Sequence, residues 1–497
     1  LDSFTFINEF VYKCLLDHDP DKIAIKSNKG SYTYSELKNN IIDAAISLRK
    51  KGFKQGDKIC LLLEDSPEYI FIFWGALLGG MVPVLLNVNN KVSDIQYITE
   101  DCDAKVIIYE NSTEKLYKNV ELIHVIGENI RSFFENKEAL SIENIYQADV
   151  DKLFILYTSG STGRPKGVPH TIEDMEYCAK QYQKTELSFK NTDLIYSVSK
   201  IPFAFGFSNT MYLPFYADST VYVSNKNEIF SIIDIVLKNR PSILLAVPTV
   251  FNNLLRILDN RYDEFENIRL TISCGEVLPK NVGKQWYKRF GTQLLEGMGT
   301  TEFLYTFLIN TPQNNRLGST GKPIPGYEVR VVDDKLKDLP INTVGQLFVK
   351  GNSLMGSYVS KDSIDNSLLI EGGMLTGDNF CKDADGYFWY QGRSLDTFKI
   401  NGTWVRSEDI ENELLKKIGI LDVAVAGVTN NNETTKLIAY LVIDHDFNLH
   451  NVKRDLRNNL PHYMVPGIFY EVNKIPKGIT GKIQRNSLNE GILKKIE

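Results

Sequence analysis

Short apolar runs recur through most of the chain, each separated from the next by a stretch with helical spacing. This alternation rules out most folds before any motif is read. The spacing predicts a helix over 35–50, a strand over 58–63, a buried helix over 69–78, and strands over 82–87 and 105–109. Further on, 242–246 and 270–273 are short apolar runs that follow helical stretches. Strands joined through helices pair in parallel, so the rhythm points to an α/β fold with largely parallel sheets. The pattern changes after about Arg316. Residues 327–332 and 345–350 alternate apolar and polar positions, which predicts antiparallel strands in a small barrel-like subdomain. After Arg393 it changes again: a helix over 407–417, strands over 423–428 and 436–443 and a helix over 452–458 make a compact α+β domain. The expected division is 1–394 for a large N-terminal domain and 395–497 for a smaller C-terminal one.

Segment 69–88 is almost uncharged and about as long as a membrane span. Gly79, Gly80 and Pro83 interrupt it, so it reads as a soluble helix, turn and strand. With 56 basic and 62 acidic side chains the net charge is −6, which disfavours a general nucleic-acid binder. The six cysteines are scattered without a CxxC pair and read as separate reduced thiols, giving a cytoplasmic expectation. The histidines show no zinc-ligand spacing.

The strongest chemical signal is the run Phe154-Ile155-Leu156-Tyr157-Thr158-Ser159-Gly160-Ser161-Thr162-Gly163-Arg164-Pro165-Lys166-Gly167. An apolar strand enters a loop of glycines, hydroxyls and cations. Glycines let the backbone approach a ligand closely, and N–H groups, hydroxyls and Lys166 then face phosphate oxygens. It is not a Walker loop, because Lys166 is followed by Gly167 and Val168 and not by Ser or Thr.

This segment resembles the phosphate loop of the acyl-adenylate-forming superfamily, which includes acyl-CoA ligases, peptide-synthetase adenylation domains and beetle luciferases. Further motifs follow in the order of that family. Ser273-Cys274-Gly275-Glu276 is similar to the loop along the adenine and acyl pocket. Glu296-Gly297-Met298-Gly299-Thr300-Thr301-Glu302 is similar to its Gly-Tyr-Gly-x-Thr-Glu motif, with Met298 in place of the aromatic. The resemblance implies that Thr301 approaches the α-phosphate and that Glu302 helps hold Mg²⁺, a cation that prefers oxygen ligands. Leu375-Thr376-Gly377-Asp378 matches Thr-Gly-Asp, which implies that Asp378 accepts from the ribose hydroxyls. The run from Tyr390 to Lys399 resembles the family's domain junction, which implies nucleotide contacts for Arg393 and Lys399 and a hinge at Asp396. Gly478-Ile479-Thr480-Gly481-Lys482 is similar to the C-terminal catalytic loop, which implies that Lys482 meets the charge developing on the α-phosphorus.

The implied activity is ATP-dependent conversion of a small acid to acyl-AMP, then transfer to a thiol after the mobile C-terminal domain rotates. Around Phe203-Ala204-Phe205-Gly206-Phe207 the chain is similar to benzoate-CoA ligases. Amino-acid-activating domains carry an Asp where Ala204 stands, so an α-amino acid, whose ammonium would be buried unpaired, is disfavoured. Phe203, Ala204, Phe205 and Gly206, with Ser273, Cys274 and Gly299, are the expected acid pocket for an aromatic or apolar acid. Phe207 is either part of it or plain core. Gly402-Thr403-Trp404 lies where the benzoate ligases have a similar Gly-x-Trp, which favours coenzyme A as acceptor. A carrier-protein phosphopantetheine thiol remains the alternative.

Overall fold

The computed structural model describes residues 8–110, 121–124, 141–145, 153–159, 164–258, 265, 267–359, 368–393, 397–400, 403–429, 435–477, 483 and 485–496. The chain forms two compact units. The first is made of residues 1–158, 166–328 and 350–374, and the second of 159–165, 329–349 and 375–497.

The first unit is built on two sheets. One has nine strands in the order Lys322–Pro323, Thr306–Ile309, Leu294–Gly299, Leu270–Ser273, Ile243–Ala246, Leu194–Ser197, Thr220–Val223, Ile23–Ser27 and Gly30–Thr33. Its six interior strands, from Leu294–Gly299 to Ile23–Ser27, pair in parallel, and the strands beyond them at either edge pair antiparallel. The other has six strands in the order Glu121–His124, Ala104–Tyr109, Lys58–Leu62, Val82–Leu85, Leu153–Ser159 and Pro165–Thr171. Strands such as Ile243–Ala246 and Leu270–Ser273 are buried at every position, as parallel strands covered on both faces must be.

The apolar segment 69–88 is the core of this unit. Helix Pro67–Leu78 starts at Ser66, whose side chain accepts from the Tyr69 N–H, with proline in the first turn. All twelve of its residues are buried, which explains why it is hydrophobic all round. Phe73 packs edge-on against Phe154 of the six-stranded sheet and against Phe207, and the Trp74 indole donates to the Met211 carbonyl at 2.9 Å. Among the described residues no helix is long and apolar enough to cross a membrane. Buried Asp193 pins neighbouring strands: its Oδ1 accepts from the Ser242 hydroxyl at 2.7 Å and from Arg269 Nε at 2.8 Å.

The second unit carries most of a five-stranded sheet, in which Gly373–Lys382 and Phe388–Arg393 pair antiparallel. Strands Glu328–Val332 and Gly345–Lys350 of this sheet lie where the alternation predicts them. A separate sheet orders Ile420–Thr429, Thr435–Ile443, Ile468–Val472 and Ile492–Ile496. Helices Ser407–Leu414 and Leu449–Asn459 bury Ile410, Leu414, Val452 and Leu456 against Val423, Val425, Leu437 and Leu441. The first helix stops three residues earlier than its spacing predicts.

Candidate active site

The first unit brings several expected residues together at the carboxyl ends of its parallel strands, where open α/β sheets place ligands. Strand Pro165–Thr171, which leaves the glycine-rich loop, carries Lys166. The Lys166 ammonium lies 5.0 Å from the centroid of the Tyr358 ring, and the Tyr358 hydroxyl donates to Glu302 Oε1 at 2.8 Å. Burial and then the Glu302 carboxylate raise the Tyr358 phenol, so it stays a donor. The backbone follows the same path: the Val359 N–H donates to the Gly167 carbonyl at 2.8 Å, and the Met355 N–H to the Glu302 carbonyl at 2.9 Å. Loop exit, expected metal ligand and segment 355–359 thus form one cluster.

Glu302 sits on a single 3₁₀ turn, Thr301–Phe303, that follows strand Leu294–Gly299. The strand has to end in glycine. A Cβ on Gly299 would lie 2.1 Å from the Tyr305 carbonyl oxygen, because the chain doubles back against itself there. The Thr301 carbonyl accepts from His170 Nε2 at 2.7 Å.

Ser273 and Cys274, at the end of strand Leu270–Ser273, are buried, and Gly275 and Glu276 emerge to the surface. Burial, and secondarily Glu296, push the Cys274 thiol well up, so it is an inert wall and not a nucleophile. Thr249 donates to Glu276 Oε2 at 2.8 Å. Gly297 lies against Cys274, and Met298 is half-buried.

Helix Ala204–Met211 sorts the three phenylalanines. Phe203 is exposed, and Phe205 is half-buried and stacked on Tyr305 at 6.1 Å and 11°. Phe207 is fully buried, stacked on Phe154 at 4.9 Å, and belongs to the core. Ala204 is half-buried on the first turn, and Gly206 is buried where a Cβ would lie 2.1 Å from the Lys200 carbonyl oxygen, so the position requires glycine. Behind Phe205, Tyr305 donates to Asn209 Oδ1 at 2.8 Å. Lys200 is occupied by the Asn225 carbonyl at 2.9 Å.

Three buried polar atoms in these segments, Ser273 Oγ, Glu296 Oε2 and Thr300 Oγ1, have no hydrogen-bond partner among the described residues. Unpaired buried polar atoms are costly; Ser273 and Glu296 are register partners on adjacent strands and Thr300 leads into the Glu302 turn, which fits a ligand with polar groups at these strand ends. Glu296 is the residue that sequence reasoning passed over. It is 5% exposed, its Oε1 accepts from the Leu278 N–H at 3.3 Å, and burial pushes its carboxyl up to about 8. An acid after Leu294 and Leu295 in an apolar strand was the available signal. Tyr358, Tyr305 and His170 were also missed, and no local motif marks them.

In the second unit Asp378 is buried, its N–H donates to Thr376 Oγ1 at 3.2 Å, and its strand partner is Arg393. Residues Lys477 and Ile483 form an antiparallel bridge. On one side Lys477 reaches Asp422 at 2.6 Å, and on the other Arg485 donates to Ser407 Oγ at 2.6 Å and lies 3.0 Å from Glu411. Thr158 is half-buried at the end of its strand. Gly160, Ser161, Thr162, Gly163, Asp396, Gly402 and Lys482 lie outside the described residues, as do the side chains of Ser159, Arg393, Lys399 and Trp404.

Comparison with known proteins gives this geometry a family. Residues 16–359 match the model of the AMP-binding enzymes, and residues 409–482 match that family's C-terminal domain. The chain is 29% identical to a 4-hydroxybenzoate–CoA/benzoate–CoA ligase of Rhodopseudomonas palustris, across 98% of this chain and 94% of that protein. It is 28% identical to a benzoate–CoA ligase of Thauera aromatica, across 98% and 96%. The solved benzoate CoA ligase of Burkholderia xenovorans LB400 superposes with a TM-score of 0.79 at 27% identity, covering 97% of this chain and 99% of that one. The o-succinylbenzoate CoA synthetase of Bacillus subtilis, bound to its acyl-adenylate, shares the fold with a TM-score of 0.84 at 22% identity, over 98% of both chains. With more than half its length matched by the family model, and the loop-exit lysine, the Thr-Glu turn and the buried strand ends assembled as described, the chain belongs to the AMP-binding enzymes.

Proposed function

We propose that this enzyme activates a small aromatic carboxylic acid with ATP, forming an acyl-AMP and releasing pyrophosphate, and then passes the acyl group to coenzyme A. The observation that carries the reading is the Lys166–Tyr358–Glu302 cluster, with Ser273, Glu296 and Thr300 atoms that have no partner among the described residues at the strand ends. A cation, a carboxylate and vacant polar atoms suit a metal-bound nucleotide, and names such as benzoate–CoA ligase among the relatives support the acid and the acceptor.

In this reading Lys166 and the loop 158–163 hold the phosphates, and Asp378, with Arg393 and Lys399, holds the ribose and phosphate side. Thr301 faces the α-phosphate. Glu302 holds Mg²⁺, which when bound neutralises phosphate charge. Lys482 reaches the acid carboxylate and the α-phosphate. Residues 1–394 and 395–497 act as the two moving parts, with Asp396 as hinge and Gly402 and Trp404 lining the thiol approach.

Phe205 and Ala204 offer an apolar wall to the ring of the acid, backed by Tyr305. No acidic side chain stands at Ala204, so an α-ammonium has no counter-charge there. ATP–pyrophosphate exchange over a panel of benzoates, fatty acids and amino acids tests the reading. Exchange confined to amino acids overturns it.

A further inference from the structure

We propose that His170 is a positioning residue of the adenylation site, whose buried ring fixes the peptide carrying Thr301 and Glu302. The inference rests on the reading above for the role of that turn. His170 is fully buried and lies on the strand that leaves the phosphate loop, four positions after Lys166. Its Nε2 is 2.7 Å from the Thr301 carbonyl oxygen, and its Nδ1 is 3.0 Å from Asp174 Oδ2. Both partners are acceptors. The same Asp174 oxygen also accepts from the Thr171 N–H at 2.9 Å, closing the N-terminal cap of helix Ile172–Gln183. The Asp174 contact orients the ring and the Thr301 contact holds the turn, so one imidazole ties the helix cap to the peptide before Glu302.

The clamp acts where the backbone needs holding. The turn ends at Leu304, a non-glycine residue at φ 63°, a conformation that persists only when its surroundings impose it. His170 grips the turn through the Thr301 carbonyl, and Tyr358 and Met355 grip it through Glu302. Strand Pro165–Thr171 and the Thr-Glu turn, far apart in sequence, are thereby tied together.

The test pairs His170→Gln with His170→Asn in the full-length enzyme. The Gln amide reaches as far as Nε2 and can still donate to Thr301, whereas the Asn amide matches Nδ1 and reaches only Asp174. Pyrophosphate exchange, KM for Mg·ATP and for the acid, Mg·ATP affinity by calorimetry and the unfolding midpoint are measured for each. The expected result is near-normal exchange for Gln and a loss of about 100-fold for Asn, the scale of a roughly 1 Å misplacement. The loss should appear in kcat and in Mg·ATP affinity, with the KM for the acid unchanged and equal unfolding midpoints. Equal losses in both variants that track their unfolding midpoints, or a weakened acid KM with normal Mg·ATP binding, overturn the proposal. If the unmodified enzyme exchanges with no acid, the adenylation reading fails, and the calorimetric Gln–Asn difference still decides the role of His170.

Discussion

Glu296→Gln exposes the energetic state of the site before any ligand arrives. The wild-type carboxyl is buried and poorly partnered, so its pKa rises from 4.5 to about 8, mainly through burial and despite the Leu278 N–H. The folded protein therefore holds this proton more tightly than the unfolded chain. Between pH 4.5 and 8 it binds more protons folded than unfolded, so stability falls as pH rises through that window. At about 1.4 kcal/mol per unit the loss accumulates to roughly 5 kcal/mol by the upper end. Glutamine has the same shape, can still accept from Leu278 and does not titrate. Urea unfolding of both proteins, followed by tryptophan fluorescence across this range, should give equal midpoints near pH 4.5. Above it the variant becomes progressively more stable than wild type, and the gap levels off above pH 8. Parallel profiles across the window would refute the reasoning, because they would mean that Glu296 ionises as easily folded as unfolded.

Gly299→Ala places a methyl 2.1 Å from the Tyr305 carbonyl oxygen, so the Thr-Glu turn must shift, and pyrophosphate exchange should fall about 100-fold; exchange within a few-fold of wild type contradicts this. Tyr358→Phe removes the donor to Glu302 Oε1 and should raise the KM for Mg·ATP about tenfold, the equivalent of roughly 1–1.5 kcal/mol, with no change in the KM for the acid. Asp193→Ala removes the carboxylate that Arg269 and Ser242 share, leaves Arg269 only the Ser188 carbonyl among the described residues, and should cost about 2–3 kcal/mol in urea unfolding while leaving the site chemistry intact. Lys482→Ala should lower acyl-AMP formation by at least about 100-fold, yet let the variant convert supplied acyl-AMP and coenzyme A to thioester.

The interior strands were legible because a parallel strand covered on both faces has to be a continuous apolar run, as Ile243–Ala246 and Leu270–Ser273 are. Strand Ile492–Ile496 was not, since most of its side chains are exposed and it carries Lys494 and Lys495. The spacing of Phe203, Phe205 and Phe207 gave no means of separating pocket from core. Positions 205 and 207 fall on a helix and point roughly 200° apart, so one faces Tyr305 and the other Phe154. The motif residues Lys166, Thr301 and Glu302 were legible as a set, whereas their supports were not. His170 meets Thr301 across 131 positions, and Tyr358 meets Glu302 across 56, so only the fold makes those pairs.

The central claim is that one chain both adenylates an aromatic acid and hands it to coenzyme A. The most direct measurement follows ATP, AMP and thioester by mass spectrometry with benzoate, hydroxybenzoates, aminobenzoates, a fatty acid and an amino acid, each with and without coenzyme A. The account predicts acyl-AMP from aromatic acids alone and its conversion to aryl-CoA, with AMP released, once coenzyme A is added. Acyl-AMP that accumulates and never reaches coenzyme A would contradict the second half of the claim, and absence of any adenylate would contradict the first.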